Sequence, residues 1–130
     1  MSGFLADACA LIEFHSPGNG RLADAARAAM RGPDVHVSSV TAWEITRKVS
    51  VGKLPLPVPA RFRGTYAEYL RGQGYLVAPL TWADAEAAAL LPDHHRDPMD
   101  RFLIATALRM DLTIVTSDQV VQSYGVRTIW

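Results

Sequence analysis

The sequence predicts an α/β chain organised around a parallel sheet. Short apolar runs alternate with longer stretches of helical periodicity, the pattern of consecutive βαβ units. The 130 residues suit one domain rather than two. With 49% apolar and 20% charged residues, the chain can bury a real core.

Phe4, Leu5 and Ala6 form the first short strand, and residues 8–15 carry helical text. Ser16-Pro17-Gly18-Asn19-Gly20 is a loop of helix-stopping residues. Residues 21–31 are an Ala-rich helix stopped by Gly32 and Pro33, and Val35-His36-Val37-Ser38 alternates as a second strand. Residues 41–51 predict a helix closed by Gly52. The prolines Pro55, Pro57 and Pro59 then impose an extended connector. Residues 60–71 predict a helix broken by Gly72 and Gly74, and Tyr75-Leu76-Val77-Ala78 a third strand. Helices over 81–91 and 99–110 come next, then a fourth strand at Thr113-Ile114-Val115-Thr116. A short helix from Gln119 and a last strand at Arg127-Thr128-Ile129 complete residues 1–130 as a single domain.

Thirteen Lys and Arg balance thirteen Asp and Glu, which argues against a generic polyanion binder. The charge is nevertheless segregated. Arg47, Lys48, Lys53, Arg61, Arg63 and Arg71 face only Glu68 between residues 45 and 75. Acids dominate residues 84–118. The basic stretch reads either as a solvated helix face or as a surface for a nucleic-acid backbone, with Phe62, Tyr66 and Tyr69 interleaved. Those aromatics equally suit a buried helix face. Cys9 is the single cysteine, so no intrachain disulfide or multi-cysteine zinc site is available. The N-terminus does not read as a secretory signal, and no run approaches the roughly 18 apolar residues of a membrane helix. A soluble cytoplasmic protein is the expectation.

Four acids occupy equivalent places. Asp7 comes directly after the first strand and Asp118 shortly after the fourth. Glu44 and Asp100 are read in the first turns of the helix opened at Thr41, after the second strand, and of the helix opened by Asp97-Pro98-Met99. Strand C-termini of a parallel sheet share one edge, where ligands bind, so at least three of these acids should meet. Each also has a capping explanation: Thr41 with Glu44 as a capping box, Asp97 as N-cap before Pro98, Asp7 and Asp118 as caps of the helices next in the chain. Capping does not require convergence. Two carboxylates about 5 Å apart repel by roughly 3 kcal/mol at an effective dielectric of about 20. A divalent cation offsets this directly, and all-oxygen ligands favour Mg²⁺ or Mn²⁺ over zinc. Such a site suits phosphodiester hydrolysis. Gly18-Asn19-Gly20 lacks the preceding strand and the Lys of a phosphate-binding loop.

The chain resembles the PIN-domain ribonucleases, and within them the VapC-type toxins of toxin–antitoxin pairs. The resemblance runs through Leu5-Ala6-Asp7-Ala8, Trp43-Glu44-Ile45 with Gly52-Lys53-Leu54, and Leu91-Pro92-x-x-His95-Arg96-Asp97-Pro98-x-Asp100-Arg101. It ends with Val115-Thr116-Ser117-Asp118 and Tyr124-Gly125-Val126. It implies a three-layer α/β/α fold with a central parallel sheet and a Mg²⁺- or Mn²⁺-dependent endoribonuclease. It also implies an RNA substrate, a homodimer and a small cognate antitoxin. By position, Asp7, Glu44, Asp100 and Asp118 correspond to the family's acidic quartet, with Asp7 and Asp100 foremost as metal ligands. Asp97 corresponds to a further acid beside the site and Thr116 to a supporting hydroxyl. His95 and Arg96 match the motif without an assigned chemistry.

Two positions depart from the pattern: Ala8 stands where many relatives carry a hydroxyl, and Ser117 where a basic residue is frequent. Two other functions compete. A receiver-type phosphoacceptor domain needs paired acids after the first strand and a late Lys, whereas Asp7 is unpaired and the only lysines are Lys48 and Lys53. A non-catalytic PIN-like module that binds RNA or protein finds its support in Ala8.

Overall fold

The computed structural model describes residues 3–55 and 63–130. Five strands, β1 (Phe4–Ala6), β2 (Val35–Ser38), β3 (Leu76–Ala78), β4 (Thr113–Val115) and β5 (Thr128–Ile129), form one sheet in the order β3-β2-β1-β4-β5. Every pairing is parallel: Ala6 lies opposite Val37 on one side and Val115 on the other. All strand C-termini therefore share one edge. The chain steps outward from β1 to β3 in one direction and from β4 to β5 in the other. The crevice at this reversal opens beyond Ala6 and Val115, directly before Asp7 on one strand and before Thr116, Ser117 and Asp118 on the other.

Among the described residues, six α-helices cover the sheet: α1 (Ala8–Phe14), α2 (Asp24–Arg31), α3 (Ser39–Ser50), α4 (Tyr66–Gly72), α5 (Trp82–Leu90) and α6 (Pro98–Met110). Side chains alternate across the strands, which divides the core in two. Ala6, Val35, Val37 and Val115 pack against Leu11 of α1, Ala26 and Met30 of α2, and Leu70 of α4. Leu5 and Ile114 point the other way, onto Leu103, Ile104 and Ala107 of α6 with Val121. Helix α3 touches both cores through Ile45 and Val40. The result is the expected three-layer α/β/α sandwich. Among the described residues, no helix is long and apolar enough to cross a membrane.

Several element boundaries move, each for a local reason. Helix α2 starts at Asp24 rather than at residue 21, because Glu13 accepts hydrogen bonds from the backbone and side chain of Arg21 and holds it in the loop. Helix α3 starts two residues earlier than expected. Ser38, at the end of β2, is its N-cap and accepts from the Val40 N–H at 3.0 Å. The Thr41–Glu44 capping box is therefore not formed. Thr41 is fully buried within the helix, its hydroxyl without a hydrogen-bond partner among the described residues, and Glu44 sits in the second turn. Helix α4 begins at Tyr66 under a capping box of Thr65 and Glu68. The expected helical residues 60–62, most of the proline connector, and Arg61 and Phe62 lie outside the described residues. Tyr66 packs against the core, as the buried-face reading of the aromatics required.

Candidate active site

Asp7 and Asp118 cap and converge at once. Asp7 follows β1 as the N-cap of α1 and accepts the Ala10 N–H at 2.7 Å, closing the first turn of the helix. Asp118 begins a 3-10 helix, Gln119–Tyr124, and its Oδ1 accepts the Val120 N–H at 3.0 Å. Thr116 joins them. Its hydroxyl faces the Asp7 carboxylate and lowers its pKa, and accepts the Asp118 N–H at 3.1 Å. The two acids at the switch point of the sheet are thus held by one side chain from the end of β4.

Asp100 comes from the first turn of α6. That helix is started by Asp97, which accepts the Met99 N–H at 2.9 Å, with Pro98 in the first helical position. Between Asp100 and Asp118 stands His95, whose Nε2 lies 2.7 Å from Oδ2 of Asp118 and 3.1 Å from Oδ2 of Asp100. One ligand-capable atom from each of His95, Asp100 and Asp118 falls within 4.8 Å of the others. Among the described residues, His95, Asp100 and Asp118 are the group whose ligand-capable atoms lie this close together.

Asp7 and Glu44 join through their fields. Burial pushes the Glu44 carboxyl up to about 7, helped by the negative charges of Asp100, Asp97 and Asp7. Burial likewise raises Asp100 to about 6, together with Asp97, Asp118 and Asp7. Asp7 is raised by burial and by Asp118, against the Thr116 hydroxyl and the Ala10 N–H. Lys48, one helical turn beyond Glu44, lowers both Asp7 and Glu44 but does not cancel the repulsion. Asp97 is at once an N-cap and a contributor to the negative field. The five acids named from the sequence thus share one pocket of potential.

Cys9 is exposed nearby, and burial together with Asp7 raises its thiol, which disfavours a thiolate nucleophile. His95 is legible in the sequence only as part of a motif. Its spacing before Asp97 and Asp100 carries no periodic signal, since it lies in a loop.

The donor set fits a divalent cation. Burial, and after it the neighbouring acids, raises several of these half-buried carboxylates, and a cation would supply the missing counter-charge. The family model for the PIN domain matches residues 4–126. The chain belongs to the PIN-domain family. PIN domains are usually nucleases and generally bind divalent metals. The fold of this PIN domain is similar to that of FitAcB from Neisseria gonorrhoeae, at 19% identity and a TM-score of 0.65 over 98% of this chain and 96% of that one. A toxin–antitoxin complex from Klebsiella pneumoniae matches at 18% identity and a TM-score of 0.58, over 89% and 87%. PAE2754 from Pyrobaculum aerophilum matches at 16% and 0.54, over 98% and 84%. No curated protein matches this PIN domain by sequence.

Proposed function

We propose that this PIN domain is a Mg²⁺- or Mn²⁺-dependent endoribonuclease, the VapC-type toxin of a toxin–antitoxin pair. One observation carries the reading: Asp7, Glu44, Asp100 and Asp118 converge at the C-terminal edge of the sheet, with Glu44 and Asp100 pushed up to about 7 and about 6. Asp100, Asp118 and Asp7 would hold the cation, with Glu44 binding directly or through water and orienting the attacking water; when bound, the ion would supply positive charge for the phosphate and for activating water. Asp97 adds to the field, and Thr116 fixes Asp7 and Asp118 relative to each other. Ala8 comes after Asp7 without a hydroxyl, but Thr116 faces that carboxylate with a hydroxyl from the end of β4.

The RNA backbone lies along the basic side of α3, where Arg47 is exposed and Lys48 reaches toward the acids. A small cognate antitoxin neutralises the enzyme in the cytoplasm, and the working form is a homodimer. The toxin–antitoxin complex among the structural neighbours supports an antitoxin partner. The test is incubation with structured RNA in Mg²⁺ or Mn²⁺, with and without excess EDTA. Cleavage that EDTA stops, and that Asp7→Asn loses while remaining folded, is the expected result. Cleavage indifferent to EDTA overturns the metal mechanism. Growth arrest on expression, relieved by a small protein encoded beside it, separates a toxin from a housekeeping nuclease.

A further inference from the structure

We propose that Arg101 and His95 form one positioning unit, in which Arg101 anchors the backbone of His95 and His95 aims the carboxylates of Asp100 and Asp118 by donating to them from Nε2. The inference rests on the metal-binding reading of the site. It assigns His95 as a hydrogen-bond donor to the ligands and not as a ligand.

The need for an anchor comes from how α5 ends. The only closing bond is a long one, from the Leu91 N–H to the Ala88 carbonyl at 3.4 Å, and the chain turns away at Leu91 in an extended conformation with no glycine to cap the carbonyls beyond it. Arg101 of α6 fills the gap. Its Nε and Nη2 donate to the Ala88 carbonyl at 3.2 and 2.9 Å, and Nη2 also reaches the Leu91 carbonyl at 2.7 Å. Nη1 donates to the Pro92 carbonyl at 2.9 Å and the His95 carbonyl at 3.1 Å. The Arg101 side chain is only 11% exposed, and the nearest carboxylate, Asp93, stands 3.8 Å away in open solvent. The guanidinium charge is thus directed at the negative end of a helix and at the loop beyond it. A lysine has neither the fork nor the number of donors to hold these carbonyls at once.

His95 is fixed at its other end too: its backbone N–H donates to the Tyr124 hydroxyl at 2.6 Å. With the backbone set, the ring lies between Asp97 and the two acids. The Asp97 backbone N–H points at Nδ1 from 3.3 Å, so Nδ1 accepts and the ring proton belongs on Nε2. Nε2–H then faces Oδ2 of Asp118 at 2.7 Å and Oδ2 of Asp100 at 3.1 Å. A nitrogen carrying that proton cannot bind a cation. Moving the proton to Nδ1 would set it against the Asp97 N–H. The trio that looks like a mixed nitrogen–oxygen metal site is better described as two carboxylates oriented by a shared donor, each oxygen keeping a lone pair for the ion.

The first measurement is histidine-selective ¹⁵N NMR of the full chain, titrated with MgCl₂ alone. The expected result is that the His95 Nδ1 stays unprotonated while Mg²⁺ binds. Protonation of Nδ1 on Mg²⁺ binding shows the ring to be a ligand and overturns the proposal. The second is Mg²⁺ and Mn²⁺ affinity by calorimetry for His95→Ala, His95→Gln, Arg101→Met and the double variant His95→Ala with Arg101→Met. Each alanine or methionine change should weaken binding about tenfold or more, with partial recovery in His95→Gln, which retains a donor. The double variant should lose no more than the worse single variant, because the two residues act as one unit. Additive losses, or unchanged affinity in His95→Ala, overturn it. Should Arg101→Met fail to fold, Tyr124→Phe removes the second backbone anchor while leaving Arg101 in place. It should weaken metal binding by a smaller factor with the same tautomer, and unchanged affinity there overturns the anchoring role. None of these readouts uses RNA. A chain that binds metal as described but leaves RNA intact defeats the nuclease reading and not this one.

Discussion

Asp84 and Asp100 lie on the two packed helices α5 and α6 and meet opposite fates. The Asp84 side chain is wholly buried, where burial alone would raise its carboxyl. Yet its pKa is lowered, because Arg109 grips it through Nε at 2.6 Å and Nη2 at 3.0 Å and Thr81 donates to it through the capping box. Asp100 is less buried, its side chain 29% exposed, but stands at about 6. Exposure does not separate them; the surrounding charge does. An acid that serves the fold has its counter-charge built in from the far end of α6. Asp100 faces other acids with only His95 beside it, and in the proposed reading a bound ion would relieve that repulsion.

The largest effect that would break this contrast is on activity. Asp100→Asn should lower RNA cleavage by at least about a thousandfold, equivalent to about 4 kcal/mol in the barrier, while the metal-free melting temperature holds or rises because a repulsive charge has gone. Asp84→Ala should do the reverse. It strands Arg109 and opens the α5 cap, costing about 3 kcal/mol in urea unfolding, and leaves cleavage by the folded fraction near normal. If Asp100→Asn proved as destabilising as Asp84→Ala, the two acids would be the same kind of group and the comparison would fail.

A smaller, pH-dependent effect sharpens it. Glu44 and Asp100 have folded pKa values of about 7 and about 6, above their ordinary 4.5 and 3.8. The folded state therefore prefers them protonated, and the stability they contribute is complete at low pH and lost as pH rises through about 4 to 7. Asp84 is shifted downward, so its contribution is present above 3.8 and lost as pH falls through its lowered folded value. Metal-free thermal melts should decline on both sides. Glu44→Gln should flatten the neutral limb and Asp84→Asn the acid one. Added Mg²⁺ should restore the neutral limb, since the ion competes with protons for the same oxygens. A neutral limb unchanged in Glu44→Gln would remove Glu44 from the cluster.

The same division governs which features are legible in the sequence. The strand ends and the acids beside them can be read, because a parallel sheet places every strand C-terminus on one edge. Capping and convergence look like rival explanations for Asp118, yet one carboxylate does both, Oδ1 taking the Val120 N–H and Oδ2 the His95 ring. The helix start at Ser38 is hidden by three hydroxyl residues, Ser38, Ser39 and Thr41, among which only the end of β2 decides. The Asp84–Arg109 pair spans 25 positions with no local signature. Arg101 is visible only as part of a motif, because its partners are backbone carbonyls of another helix and its loop, and carbonyls leave no trace in side-chain identity.

The smallest expected effect concerns Lys48, the positive charge that both Asp7 and Glu44 feel. It lies on α3, one turn from Glu44, at the border between the acidic cluster and the exposed Arg47. On the proposed path of the RNA, Lys48 would hold a phosphate beside the acids. Lys48→Met should leave folding and metal binding within a fewfold of the parent. It should reduce the slope of log affinity for RNA against log salt by about 0.7, the loss of one phosphate contact on a single strand. Asp84→Asn, remote from that border, should leave the slope unchanged. Equal slopes in the parent and Lys48→Met would confine Lys48 to balancing Asp7 and Glu44, and would move the path of the RNA off this side of α3.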